Sequence, residues 1–104
     1  MTNHVISADG TRIAFDRLGA GPPLIVIGGI LCDRETTRPL AEHLSEHFTV
    51  INFDRRGRGD SGNTAPYSVQ REIEDIAALI SHVGHKASVY GHSSGAGLAL
   101  NAAA

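Results

Sequence analysis

The residue with the clearest chemical potential in this chain is a serine between glycines. Ser93 is the centre of the pentapeptide Gly91-His92-Ser93-Ser94-Gly95, and the pattern Gly-x-Ser-x-Gly is typical of a nucleophile on a sharp strand-to-helix turn. The glycines have no Cβ, so neighbouring backbone can pass close while the hydroxyl stands clear. A strand-like stretch, 87–90, precedes the pentapeptide and a helix-forming run, 96–104, follows it. This context favours Ser93 as a nucleophile over a chance match.

A serine hydroxyl is a weak nucleophile unless a base takes its proton. The chain has six histidines, and none can be assigned as that base. His92 lies within the pentapeptide, whereas His43 and His47 lie four residues apart on a predicted helix. That spacing could bind a metal, but without a third ligand a solvated helix face is favoured. No metal or cofactor is implied.

Composition limits the class of protein. The chain has 104 residues, 41% of them hydrophobic, and a formal net charge of −2, which indicates one soluble globular domain or part of one. The basic residues cluster only at Arg55, Arg56 and Arg58. We interpret these as a solvated loop with local pairing, so no nucleic-acid partner is expected.

Neither a membrane nor an export route is indicated. The longest apolar stretch, 24–31, contains two glycines and is far shorter than the roughly 20 residues of a spanning helix. The residues after Met1 form no charged-then-apolar export signal. A single cysteine, Cys32, cannot form an internal disulfide, which fits a reducing compartment. We therefore expect a cytoplasmic location.

The periodicity of the chain predicts alternating strands and helices. Two alternating segments, 4–8 and 11–17, flank Asp9-Gly10, a strong hairpin signal. The apolar runs 24–27 and 48–53 read as strands, the first of them buried on both faces.

Two helices are expected between the later strands. One has Pro39 in its first turn with a threonine capping just before, and the other is capped by Ser68 and ends at Gly84. The fold class is therefore α/β, with a mostly parallel sheet, flanking helices and an antiparallel hairpin at its start.

Three motifs at these positions together resemble the α/β-hydrolase superfamily. They are Gly28-Gly29 after a buried strand, the loop Asp54-Arg55-Arg56-Gly57-Arg58-Gly59-Asp60-Ser61 after the next strand, and Gly91 to Gly95. The loop looks like the family segment Asp-x-Arg-Gly-x-Gly-x-Ser. The resemblance covers essentially all of residues 1–104, as a partial domain that ends just after the serine turn and corresponds to the amino-terminal half of a typical member.

The resemblance implies an oxyanion hole for a tetrahedral intermediate. One donor is the backbone N–H of the residue after the nucleophile, Ser94. The second maps to the backbone N–H of Ile30. The chain departs from the family in having Gly28 where histidine is frequent. In the family this histidine is usually structural and packs beneath the oxyanion loop, so its absence concerns the rigidity of the loop more than the chemistry.

The function implied is a serine hydrolase that forms an acyl-enzyme on Ser93 from a small ester-like or other acyl substrate. A cofactor-free haloperoxidase or a carbon–carbon hydrolase would use the same serine. In this family the acid and the histidine follow the serine in chain order, and neither is recognisable here. A non-catalytic truncated fragment is thus the alternative, and its last strand, 87–90, would be an exposed apolar edge that favours self-association.

Overall fold

The chain alternates strands and helices along its length. The structure, a computed structural model, describes residues 3–29, 33–64, 68–84 and 87–91. Its elements, in chain order, are β1 (Asn3–Ile6), β2 (Arg12–Leu18), β3 (Pro23–Ile27), α1 (Arg34–Leu44), β4 (Thr49–Phe53), α2 (Val69–His82) and β5 (Ser88–Gly91). The helix expected after the serine turn, 94–104, lies outside the described residues.

The strands form one five-stranded sheet in the order β1-β2-β4-β3-β5. β1 and β2 are the expected antiparallel hairpin, and β2 also runs antiparallel to β4. β4, β3 and β5 are parallel to one another. The α/β class and the hairpin entry are confirmed.

The two helices cover opposite faces of the sheet, and the side chains of each strand alternate between these faces. Ile25 and Ile27 point to the face that packs on α2, in a cluster with Ile76 and Leu79. Val26, between them in the chain, packs with Ala41 of α1 on the other face, in a cluster that also contains Val50. Burial on both faces explains the continuous apolar run of β3, as expected for a parallel strand.

The cap expected for α2 is confirmed, and the start expected for α1 is wrong. The Ser68 hydroxyl accepts a hydrogen bond from the Arg71 N–H at 3.3 Å. The residue that caps α1 is Asp33, whose Oδ1 accepts the Thr36 N–H at 3.1 Å. Pro39 therefore lies inside the helix, on an exposed position.

α1 also ends earlier than the predicted helix, at Leu44, so His47 lies beyond it. His43 is in the last turn, exposed, and its Nδ1 lies 3.8 Å from the Glu46 carboxylate. This agrees with a solvated face. Neither described helix is long and apolar enough to cross a membrane.

Candidate active site

The carboxyl ends of β3 and β5 lie side by side at one edge of the sheet. The two strands are parallel neighbours, and Ile27 is paired with Gly91, the last residue of β5. Adjacent strands are about 4.8 Å apart, so the chain leaves both strands at the same level. One exit leads into Gly28-Gly29, both buried, and the other leads to the serine pentapeptide.

The three residues predicted to do the chemistry are not among those the structure describes. Ser93 and Ser94 fall in 92–104, and Ile30 falls in 30–32. The structure does describe what flanks them: the ends of β3 and β5, the Gly28-Gly29 turn and the loop after β4. The roles of the three residues therefore stay predictions.

The loop after β4 is anchored by the Asp54 carboxylate at the start of α1. Asp54 Oδ1 accepts the backbone N–H of Arg34 at 2.6 Å, and Oδ2 accepts the backbone N–H of Asp60 at 2.9 Å. The Arg34 guanidinium also binds Asp54. A carboxylate is stabilised at a helix N-terminus, where backbone N–H groups have no partner within the helix. Asp54 thus joins the end of β4 to the beginning of α1.

Arg34 connects this anchor to two further carboxylates. Its Nε donates to Asp16 of β2 at 3.2 Å, and its Nη2 donates to Asp60 at 2.9 Å. Burial alone would lower the pKa of Arg34, but the hydrogen bond to Asp60 and the charges of Asp54 and Asp16 raise it overall. The guanidinium occupies the space between these acids. Within the described ranges, no three His, Cys, Asp or Glu side chains are grouped to hold a metal.

Ser61, the last residue of the loop motif, fastens the loop to β2. Its hydroxyl donates to the Asp54 carbonyl at 2.6 Å and accepts the Ala14 N–H at 2.9 Å. Next to it, the Gly62 N–H donates to the Arg12 carbonyl at 2.8 Å. The serine of the motif is therefore structural: it continues the sheet's hydrogen bonding into the loop.

Two arginines of the same loop are buried, which corrects the expectation of a solvated, locally paired cluster. Arg55 is 5% exposed and Arg56 is 2% exposed. Arg55 Nε and Nη2 donate to the two carboxylate oxygens of Glu72 at 2.7 and 2.8 Å. Arg56 Nε and Nη2 donate to those of Asp75 at 2.8 and 2.6 Å. Each pair is bidentate, the strongest geometry for this type of contact.

The partners of these arginines lie 17 and 19 residues later in the chain, on the inward face of α2. A signal for them was present in the sequence. Glu72 and Asp75 are three residues apart and lie on the same helical face as the apolar residues Ile76 and Leu79. Acids within an apolar stripe indicate buried partners of opposite charge, because an unpaired buried charge is costly.

The Arg56 pair extends to the hairpin between β1 and β2. Arg56 Nη1 donates to Asp9 Oδ2 at 2.8 Å. Hydrogen bonds from Arg56 and Thr11 hold the pKa of Asp9 well below its usual range. Hydrogen bonds to Asp75 and Asp9 raise the pKa of Arg56. One guanidinium therefore joins the hairpin turn, the loop after β4 and α2.

Arg55 instead reaches the candidate site. Its Nη1 donates to the carbonyl oxygen of Gly28 at 3.1 Å, and the contact is buried. The same guanidinium is held by Glu72 through its other nitrogens. A buried arginine thus lies behind the turn that leaves β3.

Comparison with known proteins places this architecture in a family. A family model described as the alpha/beta hydrolase family matches residues 24–104. An alpha/beta hydrolase of known structure from Sphaerobacter thermophilus is 60% identical with a TM-score of 0.94, over 97% of this chain and 39% of its own. An esterase (EaEST) from Exiguobacterium antarcticum is 27% identical with a TM-score of 0.88, over 98% and 39%. The soluble epoxide hydrolase of Corynebacterium is 34% identical, over 96% of this chain and 36% of its own length.

These relatives are hydrolases, and the chain spans less than two fifths of the length of each of the three. The five-stranded sheet and its helices correspond to the amino-terminal part of the fold.

Proposed function

The chain belongs to the alpha/beta hydrolase family, and on that premise we propose that it carries the nucleophile and the oxyanion hole of a serine hydrolase. Ser93 is the nucleophile. The backbone N–H groups of Ser94 and Ile30 are the oxyanion donors. The substrate is a small molecule with an ester or related acyl group, and hydrolysis proceeds through an acyl-enzyme.

The observation that carries this proposal is the register of β3 and β5. Ile27 and Gly91 are paired across two parallel strands, so β3 and β5 end side by side at the same edge of the sheet. In α/β-hydrolases one oxyanion donor follows the nucleophile and the other belongs to the loop between the third strand and the first helix. In this chain that loop is 28–33, between β3 and α1.

The chemistry assigns one step to each group. The Ser93 hydroxyl oxygen attacks the acyl carbon and its proton passes to a base, while the carbonyl oxygen gains the negative charge. The two N–H groups stabilise that oxyanion, each worth about 10²–10³-fold in rate. Loss of the alcohol or other leaving group forms the acyl-enzyme, and water then releases the acid.

The base and its acid partner are the remaining components. By chain order in this fold they follow the serine, and we place them in the part of the fold that these 104 residues do not span. The name of the esterase relative supports an ester as the first substrate to test. The name of the epoxide hydrolase relative makes an epoxide the second substrate to test.

The experiment compares Ser93→Ala with the parent in the protein encoded by the whole reading frame that contains these residues. We expect the parent to hydrolyse p-nitrophenyl acetate with an initial burst, and to gain the mass of one acetyl group when quenched early. Ser93→Ala removes the attacking oxygen and should lower kcat/KM by about 10⁴-fold or more.

Ser88→Ala is the matched control, because Ser88 is an exposed serine on β5 that takes no part in the proposed chemistry. It should keep the parent's rate. If Ser93→Ala retains the burst and the acetyl adduct, Ser93 is not the nucleophile. If the parent hydrolyses neither esters nor epoxides, the non-catalytic alternative is favoured.

A further inference from the structure

We propose that Arg55 and Glu72 are positioning residues for the oxyanion hole: their buried ion pair fixes the peptide that leads from β3 into the proposed donor loop. This inference rests on the proposed function. Arg55 and Glu72 do not themselves touch the substrate, and they affect the rate only through the position of the donor loop.

The geometry begins with a three-way contact between elements. Glu72, on α2, binds Arg55 through both of its carboxylate oxygens, at 2.7 and 2.8 Å. The remaining terminal nitrogen of Arg55, Nη1, donates to the Gly28 carbonyl at 3.1 Å. Because the guanidinium is planar and rigid, the bidentate contact with Glu72 also sets the direction of the third hydrogen bond.

Holding the Gly28 oxygen restricts the next peptide units of the chain. A peptide unit is planar and trans, so fixing the Gly28 carbonyl fixes the whole plane as far as the Gly29 Cα. The Ile30 N–H belongs to the next peptide. Only the two backbone dihedrals of Gly29 separate the anchored plane from that donor.

Gly28 and Gly29 make an external anchor necessary. Glycine has the widest range of backbone conformations, and neither residue has a side chain that could pack beneath the turn. Both are nevertheless buried. A charge-assisted hydrogen bond from Arg55, a residue that is itself 5% exposed, supplies the missing restraint. Its loss would let the donor move, and small misplacements of a catalytic group are costly in rate.

The neighbouring pair, Arg56 and Asp75, offers a matched control. It is equally buried and bidentate and joins the same loop to the same helix. Its third contact is with Asp9 of the hairpin rather than with the Gly28 turn. Removing either pair removes two opposite charges together, so no buried charge is left from the pair itself, and such replacements by apolar residues are often tolerated.

The experiment compares Arg55→Met/Glu72→Leu with Arg56→Met/Asp75→Leu in the protein encoded by the whole reading frame. Ester hydrolysis is measured at a temperature where circular dichroism shows both variants folded. For Arg55→Met/Glu72→Leu we expect kcat to fall about tenfold, less than the 10²–10³-fold of a lost donor, with KM within about twofold of the parent. A trifluoromethyl ketone, which binds as an oxyanion, should lose affinity by the same factor as kcat.

Backbone amide exchange gives a second readout that does not depend on turnover. Exchange of the Gly29 N–H should be faster in Arg55→Met/Glu72→Leu and unchanged in Arg56→Met/Asp75→Leu. The control pair should lower the melting temperature but keep kcat within about twofold of the parent.

The outcomes separate this inference from the proposed function. If Ser93→Ala abolishes turnover while Arg55→Met/Glu72→Leu keeps the parent's kcat, the positioning role is wrong and the serine assignment stands. If both double variants lose kcat equally, Arg55 and Glu72 only stabilise the fold, and the inference is again wrong. If Ser93→Ala keeps the parent's rate, both conclusions fall.

Discussion

At the scale of single residues, the second glycine of the loop after β4 is constrained in two ways. Gly59 has φ +51°, in the left-handed region, and a Cβ built on it would collide with the Asp54 carboxylate. That carboxylate already accepts the N–H groups of Arg34 and Asp60. The glycine of the motif is therefore required by space as well as by conformation.

Comparing Gly59→Ala with Gly10→Ala separates the requirement for space from the requirement for a left-handed backbone conformation. Gly10 also has a positive φ, +87°, but nothing lies within 4 Å of its built Cβ. We expect Gly10→Ala to lower the free energy of unfolding by about 1 kcal/mol, from conformation alone. Gly59→Ala should cost about 3 kcal/mol, because the Asp54 carboxylate must also leave its hydrogen bonds. Urea denaturation measures both values, and equal costs would show that the Asp54 contact is unimportant.

At the scale of elements, the buried arginines decide how α2 is attached. α2 packs on the sheet through apolar residues such as Ile76 and Leu79, and Arg55 and Arg56 add two charged contacts from the loop after β4. Arg56 also binds Asp9 in the turn between β1 and β2. The helix, the loop and the hairpin thus share one polar network.

The Asp9 contact should make stability depend on pH. The hydrogen bond from Arg56 lowers the pKa of Asp9 in the folded state relative to an ordinary value of about 3.9. A lowered folded-state pKa stabilises the protein above the ordinary value, and this stabilisation is lost as the pH falls below it. We expect Asp9→Asn to be less stable than the parent at pH 7 and the difference to shrink steadily below about pH 4.

Denaturant titrations at pH 7, 5, 4 and 3 measure that difference directly. A difference between the parent and Asp9→Asn that stays constant across this range would mean that Asp9 carries no pH-dependent contact with Arg56.

At the scale of the whole molecule, the sheet has two unlike edges in the part of the chain that the structure describes. β1 is one edge and β5 is the other. β5 belongs to the parallel part of the sheet and pairs there with β3. Its Tyr90 is 41% exposed, and Ile6 of β1 is 60% exposed. An exposed strand edge is a template for pairing with another chain.

We expect the 104-residue chain to self-associate through β5. A charge on an edge strand opposes such pairing, so Tyr90→Lys should shift the sedimentation velocity profile towards the monomer at high concentration. Ile6→Lys places the same charge on the opposite edge and should leave association unchanged. A parent chain that stays monomeric, or an equal effect of the two substitutions, would contradict association through β5.

The sequence by itself determined most of the local elements and the family. Asp9-Gly10 between alternating segments predicted the hairpin, the apolar run 24–27 predicted a strand buried on both faces, and Ser68 predicted the start of α2; all three are confirmed. Such signals depend on periodicity and hydrogen bonding within a few residues. The roles of Ser93, Ser94 and Ile30 remain predictions from motif and resemblance.

Only the tertiary structure decided what depends on residues far apart in the chain. Hydrophobic patterning alone does not choose the neighbour of a strand, so it does not predict the antiparallel pairing of β2 with β4. α1 begins after Asp33, so Pro39 is not in its first turn. The cap itself is local, since Asp33 accepts the Thr36 N–H, but the Arg34 N–H is accepted by Asp54, 20 residues after Arg34. The loop arginines read as solvated in the sequence, and only the fold brings Glu72 and Asp75 of α2 to them. A buried charge is stable only with its partner, and packing alone supplies that partner.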